Sequence, residues 1–91
     1  MASINEIYDR VLQKYGRSYC YRKNFFARFK SNVSKRMVDV SFNERGSVIL
    51  TIMTMQTTNT RSINPKVRYA ENMNGDELYK MIINYLENGE C

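Results

Sequence analysis

The sequence predicts an α+β domain: one antiparallel sheet of three to four strands, flanked by an N-terminal and a C-terminal helix packed on one face. Three observations carry this. Apolar residues recur at helical spacing near both ends of the 91-residue chain. Between those ends the apolar period shortens to two, as strands require. The turn residues Asn43-Glu44-Arg45-Gly46 separate two strand-like runs, as in a hairpin. The predicted order is α-β-β-β-β-α, and residues 1–91 make a single domain.

The first helix is expected over residues 3–15, where Ile4, Ile7, Val11, Leu12 and Tyr15 share a side. Ser3 and Glu6 form an S-x-x-E capping box and Gly16 supplies the stop. Glu6 and Asp9 precede Arg10, Lys14 and Arg17, an order that suits the helix dipole. Next comes a stretch that is harder to read. As a strand it puts Tyr19, Tyr21, Phe25, Ala27 and Phe29 on one face and Arg22, Asn24, Arg28 and Lys30, with Phe26, on the other. A helical reading, with Phe25, Phe26, Phe29 and Val33 on one side, competes with it. The longer match is the alternation, and Lys23 interrupts it, which predicts a bend or bulge there.

Val38, Val40 and Phe42 alternate with Met37, Asp39 and Ser41 in the next strand. After the turn, SVILTIMTMQ (47–56) is apolar on both faces, as in a central strand, and predicts a core of Leu50 and Ile52 with Ile7, Val11, Val40 and Ile82. A polar loop over 57–64 leads past Pro65 to a short edge strand, Lys66 to Ala70, with Val67 and Tyr69 inward. The last helix is expected over residues 77–87 on Leu78, Met81, Ile82, Tyr85 and Leu86. Asn74 and Glu77 form its capping box and Gly89 ends it.

Composition narrows the function. At 43% hydrophobic and 25% charged residues the chain is an ordinary folded globule. No apolar run approaches the roughly 18 residues that span a bilayer, and MASINEIYDR lacks a signal-peptide pattern. A cytoplasmic location, in a cell or a host, is the expectation, with Cys20 and Cys91 as reduced thiols. In that setting the Asn32-Val33-Ser34 glycosylation pattern is read as chance. Histidine is absent, which removes the commonest general base and metal ligand. The glycines are scattered and form no phosphate-cradling loop. No catalytic residue, metal or cofactor is therefore expected, and the chain reads as a binding module.

The charge points to an anionic partner. The net charge is +5, and between Asp9 and Asp39 nine Lys or Arg occur with no acid among them. Residues 15–36 also hold six aromatics. Cations that follow a phosphate backbone, with rings on which bases stack, suit single-stranded DNA or RNA. The expected nucleic-acid contacts are Arg17, Arg22, Lys23, Arg28, Lys30, Lys35 and Arg36, with Tyr19 and Tyr21 as stacking rings. A protein partner, as for an assembly subunit or an inhibitor encoded by a virus or mobile element, is the rival expectation. An anionic membrane surface is a third. A sheet with both helices on one face would leave apolar side chains on the other, which would suit a homodimer.

Val67-Arg68-Tyr69, followed by Tyr79-Lys80, Ile82 and Leu86, resembles the closing strand and helix of kinase-associated KA1 domains. Those domains carry a V-R-F run and then a helix with Phe-Lys and two spaced Ile. The likeness covers about twenty of the 91 residues. It implies an α+β fold and binding of anionic phospholipid. The first KA1 strand, ahead of its first helix, has no counterpart in this sequence. The helix–strands–helix order is also similar to that of the small Alu-binding subunits of the signal recognition particle, which bind RNA. That likeness is one of topology, and fold does not fix function.

Overall fold

The structure, a computed structural model, describes residues 2–56 and 62–90. Helix α1 (Ile4–Tyr15) leads through a short 3-10 turn (Arg17–Tyr19) into strands β1 (Cys20–Lys23), β2 (Phe26–Lys30), β3 (Arg36–Phe42), β4 (Val48–Gln56) and β5 (Ser62–Tyr69). Helix α2 (Gly75–Asn88) closes the chain. The strands form one antiparallel sheet in the order β1-β2-β3-β4-β5. The fold is thus the expected α+β arrangement with one strand more. The extra strand comes from the stretch that was hard to read. Residues 20–30 are a hairpin of two strands, not one alternating strand or a helix. Its turn is Asn24-Phe25, beside the Lys23 interruption, with Asn24 at φ 51° in the left-handed region that Asn tolerates. β4 is an interior strand, as expected, paired with β3 and β5.

Both helices lie on one face. Ile4, Ile7 and Val11 of α1 and Leu78, Ile82, Tyr85 and Leu86 of α2 form one core with Ala27, Phe29, Val38, Val40, Phe42, Val48 and Met53 of the sheet. Apart from Phe42 and Val48, which pair with each other, the strand residues in that core belong to two rows across the sheet. One runs Cys20–Phe29–Val38–Met53–Lys66 and the other Arg22–Ala27–Val40–Thr51–Arg68. α1 and α2 run side by side in the same sense. Arg10 reaches Asp76 at the start of α2 (3.5 Å), and Lys14 (3.6 Å) and the Tyr15 hydroxyl (2.9 Å) reach Glu87 near its end. Two of the nine cations between Asp9 and Asp39 are therefore answered by acids of the C-terminal helix.

Several expectations are corrected. Leu50 and Ile52 are half-buried on the face away from the helices, because a bulge at Ser41/Phe42 sets the β4 register so that Thr51 and Met53 face the core. Val67 and Tyr69 share the row positions of Ile52 and Leu50 and point outward too, at 45% and 76% exposure. Ser3 makes no side-chain cap bond, and the Glu6 carboxylate instead lies at the start of α2, where a Cβ on Gly75 would come within 2.8 Å of it. There it complements the positive end of the α2 dipole. At α2 the N-cap half of the expected box forms: Asn74 Oδ1 accepts the Glu77 N–H at 2.9 Å, while Glu77 Oε1 accepts from the Asn74 side-chain Nδ2 at 2.6 Å. No described helix is long and apolar enough to cross a membrane. Most of the predicted 57–64 loop and Cys91 lie outside the described residues; Ser62–Asn64 open β5. Cys20 is a free thiol, and burial pushes its pKa up, so it stays protonated and slow to react.

Candidate nucleic-acid interface

The face opposite the helices carries three rows of side chains. Lys23–Phe26–Ser41–Leu50–Tyr69 crosses one end, Tyr21–Arg28–Asp39–Ile52–Val67 the middle, and Lys30–Met37–Thr54 the other end. No helix covers these rows. The face divides along its width. Its β1–β2 half is cationic and aromatic, with Tyr21 and Phe26 as neighbouring rings, centroids 5.8 Å apart, and Lys23 and Lys30 exposed at either end. Its β4–β5 half is apolar, with Leu50, Ile52, Val67 and Tyr69. Between the halves Arg28 grips Asp39 through two bonds, Nε to Oδ1 at 2.7 Å and Nη2 to Oδ2 at 3.2 Å. That bidentate bond raises the Arg28 pKa despite the opposing effect of burial. Asp39 thus puts one negative charge into an otherwise cationic half.

The structure sorts the nine sequence-predicted contacts into three sets. Tyr21, Lys23, Arg28 and Lys30 stand together on the open face. Arg17 is exposed in the turn before β1, and Lys35 is exposed in the loop between β2 and β3. Tyr19 is half-buried, edge-on to Tyr15 with ring centroids 6.4 Å apart. Two others serve the fold. Arg22 belongs to a helix-side row, where Nη1 donates to Asn5 Oδ1 at 2.7 Å and the guanidinium sits 5.1 Å from the Phe42 ring centroid. The hairpin turn reverses its expected side. Arg36 also lies on the helix side and caps the end of α2, Nη1 donating to Leu86 O at 3.4 Å and to Ser34 Oγ at 3.2 Å. A cation there suits the negative end of the helix dipole.

Among the described residues no acid lies within ion-pair distance of Arg17, Lys23, Lys30 or Lys35. Of the nine cations between Asp9 and Asp39, these four are the exposed ones with neither such a partner nor, as Arg22 has in Asn5, a hydrogen-bonding side chain among the described residues. Sequence reasoning missed the outward placement of Tyr69, Val67, Leu50 and Ile52. The signal for it was strand parity, which becomes readable only once the β3–β4 bulge fixes the register. No family model, curated protein or solved structure matches the chain.

Proposed function

We propose that the protein binds single-stranded nucleic acid on the open face of its sheet, as a binding module without catalysis of its own. One observation supports this above the others: the exposed Tyr21 ring, with half-buried Phe26 beside it, shares the β1–β2 half of the helix-free face with Lys23 and Lys30, which have no acid within ion-pair distance among the described residues. Tyr21 and Phe26 offer ring surface to bases, which expose their own faces only in a single strand. Lys23, on β1 opposite Phe26, and Lys30, at the end of β2, stand about 13 Å apart along the strands at roughly 3.3 Å per residue, so a backbone crossing the rings meets a cation on each side. Arg17 and Lys35 extend the charge beyond Lys30.

The test is a salt titration of oligonucleotide binding by fluorescence anisotropy. Four phosphate contacts give a slope of log affinity on log salt of roughly −3, at about −0.7 per contact. Lys23→Ala with Lys30→Ala should halve that slope. Tyr21→Ala should weaken binding by about 1–3 kcal/mol at unchanged slope, since stacking releases no counterions. Absence of binding to any single strand at low salt would sink the proposal. A second reading is supported by the apolar β4–β5 half, which suits a protein partner or a second copy of this chain. It predicts that Tyr69→Lys abolishes association with that partner while oligonucleotide binding persists.

A further inference from the structure

Beyond Lys30, at the β2–β3 corner of the sheet, a cleft of about 320 Å³ opens between Arg28, Lys30, Ser31, Ser34, Lys35 and Arg36. It is lined by four cations and two hydroxyl residues, with Met37 as its one apolar side chain, and no carboxylate lines it. The loop that shapes it is tied to itself. Ser31 Oγ accepts the N–H groups of Val33 and Ser34, each at 3.1 Å, Ser34 Oγ accepts the Arg36 N–H at 3.3 Å, and the Ser31 N–H donates to Arg36 O at 2.9 Å.

Several donors remain unspent. Arg28 gives Nε and Nη2 to Asp39 and keeps Nη1. Arg36 gives Nη1 to Ser34 and Leu86 and keeps Nη2. Lys30 and Lys35 have no acid within ion-pair distance among the described residues. Such a density of donors matches a small, multiply charged oxyanion. A phosphomonoester carries about −1.5 to −2 charges near neutral pH and three acceptor oxygens, whereas a backbone phosphodiester or a carboxylate carries a single charge.

A second cleft, of about 200 Å³, adjoins the first and shares Arg28 and Lys30 with it; Ser18, Tyr19, Cys20 and Tyr21 complete its lining. An anion held in the first cleft therefore has ring surface beside it. We propose that the β2–β3 cleft binds a phosphomonoester, the terminal phosphate of a nucleic-acid strand whose end nucleotide lies in the adjoining cleft against Tyr19 and Tyr21. The source of the phosphate rests on the reading of the open face given above; the chemistry of the cleft rests on its own side chains.

The experiment compares three oligonucleotides of one sequence, with a phosphate at the 5′ end, at the 3′ end, or at neither. One phosphorylated form should bind at least about tenfold tighter than the unmodified strand, because charge-assisted bonds are the strong ones. Lys35→Gln should bring that ratio close to one, with the circular dichroism and melting curve of the protein unchanged. Two further arms use inorganic phosphate, followed by calorimetry, and phosphatidylcholine vesicles containing a phosphatidylinositol monophosphate. Equal binding of all three strands overturns the assignment and leaves the nucleic-acid reading of the face standing. Phosphate binding that Lys35→Gln abolishes, with no strand bound at any salt, supports the chemistry of the cleft and removes the nucleic-acid reading. Binding to the vesicles alone overturns the strand terminus as the source.

Discussion

Leu50 and Met53 share β4 but face opposite sides, and the two should differ in what they contribute. Met53 is fully buried among helix and sheet side chains, whereas Leu50 is half-buried on the open face. Met53→Ala is expected to cost about 2–5 kcal/mol, the range for a buried Leu, Ile or Met, and Leu50→Ala less than about half of that. Urea unfolding of both variants checks the difference. Equal losses would mean that something covers the open face. Tyr15 makes a second residue-scale prediction. Burial first, then the bond to Glu87 and its negative charge, hold the Tyr15 phenol above the ordinary tyrosine range. The folded chain keeps a proton that the unfolded chain releases near pH ~10, so this contribution is complete below that pH and is lost as pH rises past it. Tyr15→Phe should flatten the alkaline fall in urea midpoint between about pH 9 and about pH 11.

Elements were legible where a single periodicity ran uninterrupted. Both helices follow from their apolar stripes, and β3 follows from Val38, Val40 and Phe42 against Met37, Asp39 and Ser41. The hairpin over residues 20–30 was not legible, because its two strands are short and their alternation continues across the turn with only Lys23 out of step. Nor was the fate of the two capping boxes. Ser3 and Asn74 both have the pattern, but the start of α2 draws the Glu6 carboxylate to itself, while Asn74 and Glu77 stay paired. Asn74→Ala should therefore cost about 1 kcal/mol. Ser3→Ala should cost only a few tenths, since no side-chain bond is lost. Thermal melts of the two variants decide it. At the far end of α2, Gly89 takes φ 76°, and a Cβ there would lie 2.8 Å from Arg36 Nε. Gly89→Ala therefore combines left-handed strain of about 1–2 kcal/mol with displacement of the Arg36 cap.

At the scale of the whole molecule, the charge asymmetry of the sequence overstated the free positive charge. Arg10 and Lys14 are answered by Asp76 and Glu87, Arg28 by Asp39, and Arg22 and Arg36 are tied into the fold. Which cations stay available depends on contacts between residues far apart in the chain, so no local pattern could reveal it. Of the nine cations between Asp9 and Asp39, what remains, Arg17, Lys23, Lys30 and Lys35, lies toward the β1–β2 side of a chain of net charge +5. Those cations repel one another with nothing bound, so salt should leave the melting temperature of the free protein unchanged or raise it by screening. A polyanion reverses the sign. A ligand that binds only the folded state stabilises it by about 2.7 kcal/mol at a hundredfold excess over Kd, which for a domain of this size is a rise of roughly 10–20 °C. With a slope of roughly −3, a tenfold increase in salt weakens binding about a thousandfold and erases that rise. Melting curves at about 0.05 and about 0.5 M salt, with and without a single-stranded oligonucleotide, therefore separate the readings. The proposed face predicts a large rise at low salt that vanishes at high salt, and that is diminished in a Lys23→Ala, Lys30→Ala variant. A protein with no affinity for the strand would melt at the same temperature with or without it at either salt, and Arg17, Lys23, Lys30 and Lys35 would be an ordinary solvated edge.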